Sequence, residues 1–265
     1  MTATAAHTSL PLTTNRLLAA IPEDERAIVE PRTTFVELKR RDILYEPERP
    51  IEAVYFMADG IASILSVMTD GTGVETATIG REGMVGLALF HGVDTTPEHA
   101  MVQIPGSAFR VEADAFREML PDLPNLIRLL HRFSVVMFTF AAQNSGCNRK
   151  HAIEERCARW LLMVADRLGR ETLELTHDFM AQMLGVRRAS VTEALASLEK
   201  RGFVETARGR VRVANRDGLR GAACECYGIV QSTVHRLLDG RDGDSPLRHL
   251  KTAEGGKSTL KEPFG

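Results

Sequence analysis

The stretch that most constrains the fold runs from Leu175 to Val213, LTHDFMAQMLGVRRASVTEALASLEKRGFVETARGRVRV. Thr176 is a suitable helix N-cap, and Asp178 in the following turn suits the positive end of the helix dipole. Phe179, Met180, Met183 and Leu184 then recur at helical spacing, and Gly185 stops the helix where the backbone must turn left-handed. A second helix follows, with Val191, Leu195 and Leu198 on one face and Arg188, Thr192 and Glu193 off it. Gly202 ends that helix. Alternation in Phe203–Thr206 and Arg210–Val213, around Arg208-Gly209, predicts a hairpin. Helix, tight turn, helix and basic hairpin, in that order, form a winged helix-turn-helix.

Such a motif lets its second helix lie in a major groove while the first crosses the backbone. Arginines near the start of the second helix, Arg187 and Arg188, reach phosphates or the O6/N7 edge of guanine. Ser190, Thr192 and Glu193 are the further groove-facing candidates. Thr176 and His177 approach phosphate at the N-terminus of the first helix, and Arg208 and Arg210 on the wing add backbone contacts. Between Arg170 and Arg220 ten basic residues stand against seven acidic ones, in a chain whose formal net charge is -2. A locally positive motif in a slightly negative chain points to double-stranded DNA. The competing reading is an interaction protein whose winged helix docks on protein and does not depend on DNA.

The match LTxxxxAxxLGVRRxSVTxAxxxLxxxG, followed by the wing, resembles the Crp/Fnr superfamily of bacterial transcription regulators. The upstream runs YEPERPIEAVYFMADGIASI and GREGMVG resemble that family's effector domain. The resemblance covers roughly Leu17 to Cys226. It implies an α+β chain: an N-terminal antiparallel β-roll of the jelly-roll, cyclic-nucleotide-binding type, a long dimerisation helix, and a C-terminal winged helix-turn-helix. It also implies a cytoplasmic regulator acting on a pseudo-palindrome, with RNA polymerase as a further candidate partner. In the best-known members the recognition helix presents a Glu followed after three positions by an Arg. Here Ala189 holds the matching Glu position and Glu193 a matching Arg position, while Arg188 is retained.

Composition fits this division. The 265 residues are 44% hydrophobic and 26% charged, ordinary globular usage. No apolar run approaches the ~18–20 residues that span a bilayer, and MTATAAHTSLPLTTN lacks the basic start and apolar core of a secretion signal. Residues 1–14 read as disordered. Residues 15–121, with turn signals at Ala58-Asp59-Gly60 and Thr69–Gly73, read as the β-roll sensor. Residues 122–150 read as the long helix, 152–222 as the winged helix, and 223–265 as a tail that can start helically and is otherwise mostly disordered.

In the long helix Leu126, Leu130, Phe133, Met137, Phe140, Asn144 and Cys147 recur with spacing 4-3-4-3-4-3, a heptad seam. We take this seam as the homodimer interface, with Asn144 fixing register. Ile127, Val135 and Phe138 would then face the chain's own roll.

The sensor departs from its relatives. Cyclic-nucleotide-binding members carry a Gly-Glu pair for the ribose and an Arg-Ser pair for the phosphate. Alignment on VGLALF puts Gly86-Leu87 at the first pair and Glu98-His99 at the second, where a carboxylate repels phosphate. The adenine-facing hydroxyl pair becomes Ala141-Ala142. These losses speak against cyclic AMP. The apolar cassette loop with Gly86, Leu87, Glu98, His99, Val135, Phe138 and Ala142 is the candidate pocket for a small apolar effector; the absence of any effector is the alternative. No cysteine precedes Cys147, so the Fe–S ligands of oxygen-sensing relatives are missing. Cys224-Glu225-Cys226 has no His or Cys pair beside it in sequence, so no metal ligands are assigned and no cofactor is expected. GxSxG, Walker, GxGxxG and HExxH patterns are absent, so no catalytic residues are assigned and the chain reads as a non-enzyme.

Overall fold

The computed structural model describes residues 10–240. The expected disorder of residues 1–9 and 241–265 lies outside them. The chain begins with a 3-10 turn at Leu12–Thr14 and two short helices, α1 (Arg16–Ala19) and α2 (Glu23–Val29). Six strands follow: β1 (Thr34–Leu38), β2 (Ile43–Tyr45), β3 (Ala53–Val67), β4 (Gly73–Ile79), β5 (Met84–Val85) and β6 (Glu98–Glu112). A short helix α3 (Leu87–Phe90) separates the last two, and α4 (Ala113–Met119) leads out of the sheet.

The sheet is antiparallel, in the order β1-β6-β3-β4, with β2 on β6 and β5 on β3. Its backbone is the pairing of the two long strands, from Ala53 opposite Glu112 to Ser66 opposite Glu98. Register shifts between Met57 and Ala62 bend both strands and curl the sheet into a roll. Two glycines permit the bend. A Cβ on Gly106 would lie 2.3 Å from the Asp59 carbonyl carbon, and one on Gly60 would lie 2.5 Å from the Ile104 oxygen. The mixed fold with its antiparallel roll is thus the one read from the sequence.

The helical half begins with α5 (Pro124–Lys150) and α6 (Ile153–Leu168). Then come β7 (Thr172–Leu173), α7 (His177–Leu184), α8 (Arg188–Lys200), β8 (Val204–Ala207), β9 (Arg210–Val213), α9 (Arg216–Ala222) and α10 (Cys226–Leu238). One apolar core runs from the roll through α5 and α6 into the winged helix. α6 is the hinge pin of this arrangement and is buried along most of its length. Its arginines are therefore bound rather than solvated. Arg167 Nε donates to Glu82 at 2.7 Å, and Arg159 donates to Asn144 Oδ1 at 2.7 Å. No helix among the described residues is long and apolar enough to cross a membrane.

Two expectations are corrected and one is made specific. Residues 10–14 are not disordered throughout, because a 3-10 turn forms beside the buried Asn15. That side chain donates to the Met57 and Gly83 carbonyls at 3.0 and 2.9 Å and accepts from Leu17 and Leu18. The tail folds as far as Leu238: α10 buries Tyr227, Val230, Val234 and Leu238 on one side, a helical stripe. It packs along α5, and Tyr227 Oη donates to Asp166 at 2.9 Å.

The second correction concerns the faces of α5. Leu126, Leu130, Phe133, Phe140 and Cys147 are buried within the protomer, and Met137 is packed against the same core. Asn144 fixes no interhelical register, since its amide donates to the Thr76 carbonyl at 2.7 Å while its oxygen serves Arg159. Conversely, Val135 and Phe138 are 52% and 74% exposed, and Ala142 is exposed. The seam proposed as the dimer interface is an internal one, and the face assigned to the roll points outward. The larger, more continuous apolar stripe goes to the larger partner, the chain's own roll.

Candidate nucleic-acid interface

The helix-turn-helix is closed by local interactions that its residues dictate. Thr176 Oγ1 accepts from the Phe179 amide at 3.2 Å and caps α7. Gly185, at φ +62°, ends α7 in the left-handed region and starts the turn. Val191, Leu195 and Leu198 of α8 are buried against the core. Their opposite face carries Arg188, Ala189, Thr192 and Glu193, all exposed. α8 has no side-chain N-cap, and the Ser190 and Val191 amides of its first turn donate instead to the Arg187 carbonyl at 3.0 and 3.4 Å.

The wing is a two-residue hairpin, Ala207 paired with Arg210 across Arg208-Gly209, with Gly209 at φ +71°. β7 pairs on the other side of β9 and completes a three-stranded sheet. Glu199 ties the wing to α8 by accepting from the Thr206 amide at 2.8 Å and its hydroxyl at 2.9 Å. Sequence reading missed this strut, because a Glu seven residues before a Thr carries no periodic signal.

The basic residues between Arg170 and Arg220 are either paired or unpaired. Among the described residues the unpaired ones include the exposed Arg170, Lys200 and Arg220, which lie away from the start of α8 and the tip of the wing. Arg201 pairs with Glu154 and lies over the Phe203 ring, Arg212 pairs with Glu205, and Arg216 pairs with Asp166 and Glu171. These cations support the domain. Arg187, Arg208 and Arg210 are exposed and take part in no ion pair among the described residues. Arg188 makes only a long, exposed contact with Asp178 at 3.5 Å, which costs little to exchange for a phosphate or base edge.

The remaining candidates differ in availability. Thr192 donates to the Arg188 carbonyl at 3.1 Å and meets His177 Nδ1 at 2.9 Å. Both residues therefore hold α7 against α8, and His177 is only partly exposed. Ser190 is half-buried, while Glu193 is exposed.

α7 also packs against β4 of the roll. Arg40 donates to the Glu174 carbonyl at 2.9 Å and lies 5.5 Å from the Phe179 ring centroid. Deeper in that interface is Glu75 of β4. Its carboxylate accepts from Ser63 at 2.9 Å, Gln103 at 2.7 Å and Trp160 of α6 at 3.2 Å. Burial pushes the Glu75 carboxyl up from 4.5 to about 7, against the lowering effect of the Ser63 and Trp160 hydrogen bonds and of Arg167 and Arg159.

The candidate effector pocket is not assembled as the sequence suggested. Gly86, at φ +91°, abuts Ala53 and Val54, whereas Glu98 and His99 pair with Ser66 and Leu65 towards the other end of β3. Leu87 is half-buried next to Gly86. Val135, Phe138 and Ala142 lie on the outer face of α5, as above. A cavity of about 260 Å³ opens elsewhere, lined by Arg16, Arg81, Glu82, Phe140, Arg167 and Gln231 among others. No residue of the expected pocket lines it. Burial raises the Tyr45 phenol well above its ordinary value, and the Glu98 carboxylate raises it further.

Residues 35–122 match the cyclic nucleotide-binding domain family, and residues 155–222 match the Crp-like helix-turn-helix domain family. The chain is 25% identical over 178 residues to a CRP-like cAMP-activated global transcriptional regulator of Mycobacterium tuberculosis, covering 64% of this chain and 79% of that protein. Among solved structures it is similar to FixK2 from Bradyrhizobium japonicum, with TM-score 0.63 and 19% identity over 72% of this chain and 98% of the other. The c-di-GMP responsive global regulator CLP from Xanthomonas campestris aligns with TM-score 0.60 and 14% identity, covering 72% and 99%. The curled roll and the wing therefore have one common explanation, and the chain joins a cyclic nucleotide-binding domain to a Crp-like helix-turn-helix domain, the arrangement of a Crp/Fnr-type transcription regulator.

Proposed function

We propose that the protein works as a homodimer on a pseudo-palindromic duplex, with α8 in the major groove, the wing on the backbone, and a roll that does not respond to cyclic AMP. The observation that carries the DNA reading is that Arg201, Arg212 and Arg216 are paired, whereas Arg187 at the start of α8 and Arg208 and Arg210 on the wing are exposed and in no ion pair among the described residues. Arg188 supplies the base contact and the other three bind phosphates. Two protomers then neutralise about six phosphates, which predicts a slope of log affinity against log salt of about −5.

The dimer reading rests on the outer face of α5. His131, Val135, Phe138, Ala142 and Ser145 are exposed there with spacing 4-3-4-3, a second heptad seam. Phe138 is the most exposed large apolar side chain among the described residues. Pairing two copies of α5 through it gives the two-fold symmetry that a palindrome requires.

The reading against cyclic AMP is supported by Leu87 beside Gly86 and by Ala141 and Ala142 on α5, none of which supplies a ribose or adenine partner. A mobility shift with random duplex at low and moderate salt tests the DNA reading. Salt-sensitive retardation supports it; no retardation at either salt leaves the DNA-independent interaction protein. Unfolding with and without millimolar cyclic AMP tests the sensor, and a raised midpoint contradicts the proposal.

A further inference from the structure

Three cysteines and a histidine that lie far apart in the chain meet at one point. Cys147 and His151 end α5, while Cys224 and Cys226 flank the start of α10. The three cysteines are buried and form a cluster of their own, separate from the main core. Their sulfurs and a ring nitrogen of His151 all lie within 4.8 Å of one another. Cys147 Sγ is 3.6 Å from Cys224 Sγ, and Cys226 Sγ is 3.5 Å from His151 Nδ1. With Zn–S of about 2.3 Å and Zn–N of about 2.0 Å, the edges of a tetrahedron round one zinc are about 3.8 Å between sulfurs and about 3.5 Å from sulfur to nitrogen. The Cys147–Cys224 and Cys226–His151 separations are close to those edges, and the remaining ones do not exceed 4.8 Å.

The surroundings supply the outer shell that a metal histidine needs. His151 Nε2 lies 3.2 Å from the Glu225 carboxylate. Donation there leaves the Nδ1 lone pair directed at the sulfurs, the arrangement of a carboxylate–histidine–metal triad. Gln143 Nε2 donates to Cys226 Sγ at 3.1 Å, as a thiolate ligand requires. Arg156 and Arg159 are buried nearby, and both interact electrostatically with Cys147. Buried guanidinium nitrogens of both residues lack hydrogen-bond partners. Two under-satisfied cations suit a site whose bound form carries net negative charge.

We propose that Cys147, His151, Cys224 and Cys226 bind one zinc ion in a closed, structural Cys3His site. Zinc enters as the dication, three thiols release three protons, and the neutral donor set becomes a site of charge −1 with no change of oxidation state. Donors this close fit a single ion, whereas ligands of an iron–sulfur cube sit on different irons and spread further. The position gives the ion a task. The chain enters the winged helix after His151 and leaves it before Cys224, so the metal clamps both ends of that domain to the end of α5. It closes a loop whose ends, Cys147 and Cys224, are separated by 77 positions. The proposal does not depend on DNA binding.

The test uses the reduced full-length chain, stripped with chelator and then given zinc or cobalt(II). The expected result is one zinc per chain after desalting, and the visible bands of tetrahedral cobalt with a thiolate charge-transfer band. Cys226→Ala abolishes both, Cys157→Ala changes neither, and Glu225→Gln weakens zinc binding by roughly 10–100-fold. A folded, reduced native chain that takes up no stoichiometric zinc, or an octahedral cobalt spectrum, overturns the proposal. If Cys226→Ala does not fold, the cobalt spectrum of the native chain decides alone.

Discussion

Replacing Glu75 with glutamine should make the protein more stable above neutral pH and remove a pH dependence from its folding. Glu75 sits between the roll and α6, buried, with its ionised form supported by Ser63, Gln103 and Trp160 and by the charges of Arg167 and Arg159. Burial outweighs them and raises the carboxyl from 4.5 to about 7. Between those values the folded chain holds a proton that the unfolded chain has lost. Stability therefore falls as pH rises through this window and is level above it. At about 1.36 kcal/mol per pH unit, the loss between pH 4.5 and pH 8 is roughly 3 kcal/mol.

Glutamine is neutral throughout and fits the same donors. Gln103 Oε1 lacks a partner, so turning that amide lets it accept from the new side chain, while Trp160 still donates to the remaining oxygen. Urea unfolding of native and Glu75→Gln protein across pH 4.5–8 isolates this one group, because every other titration cancels in the difference. The variant should match the native chain near pH 4.5 and exceed it by roughly 2–3 kcal/mol at pH 8. A difference that does not change with pH, or a variant less stable at pH 8, refutes the reasoning.

Four further outcomes follow from the same geometry. Phe133→Ala should destabilise the protomer by about 3–5 kcal/mol at any concentration, read by urea unfolding, since Phe133 is buried within the chain. Phe138→Glu should leave protomer stability nearly unchanged but convert dimer to monomer by light scattering; a variant that remains dimeric rejects the outer seam of α5. Arg208→Ala should weaken every duplex alike and flatten the salt slope, measured by fluorescence anisotropy over a salt series. Arg40→Ala removes the contacts to Glu174 and Phe179, and should speed amide exchange in α7 without altering that of α5.

The winged helix was legible because its signals are local. The Thr176 cap, the Gly185 turn and the Arg208-Gly209 hairpin each depend on a few neighbouring residues, and the structure repeats them residue for residue. The faces of α5 were not, because a 4-3 repeat shows that a stripe will be buried without naming its partner. Two such stripes run along α5, and only the assembled roll decides that Phe133 turns in and Phe138 turns out. A helical start to the tail was legible, but its packing along α5 was not, because the stripe of Tyr227, Val230, Val234 and Leu238 does not name its partner. The meeting of Cys147 with Cys224, like that of Glu75 with Trp160, joins residues tens of positions apart, and no spacing rule brings them together. Charge alone was also ambiguous: Arg201, Arg212 and Arg216 look like Arg208 in the sequence, and only their carboxylate partners separate them.

The central claim is a dimer that reads DNA through α8, and it is tested most directly by selecting bound duplexes from a random pool with the native protein and with Arg188→Ala. The account predicts a pseudo-palindrome with half-sites about 10 base pairs apart, centre to centre, and loss of preference at one symmetric pair of positions in the variant, costing about 1–3 kcal/mol per site. Selected duplexes without two-fold symmetry, or an Arg188→Ala pool indistinguishable from the native one, would contradict it.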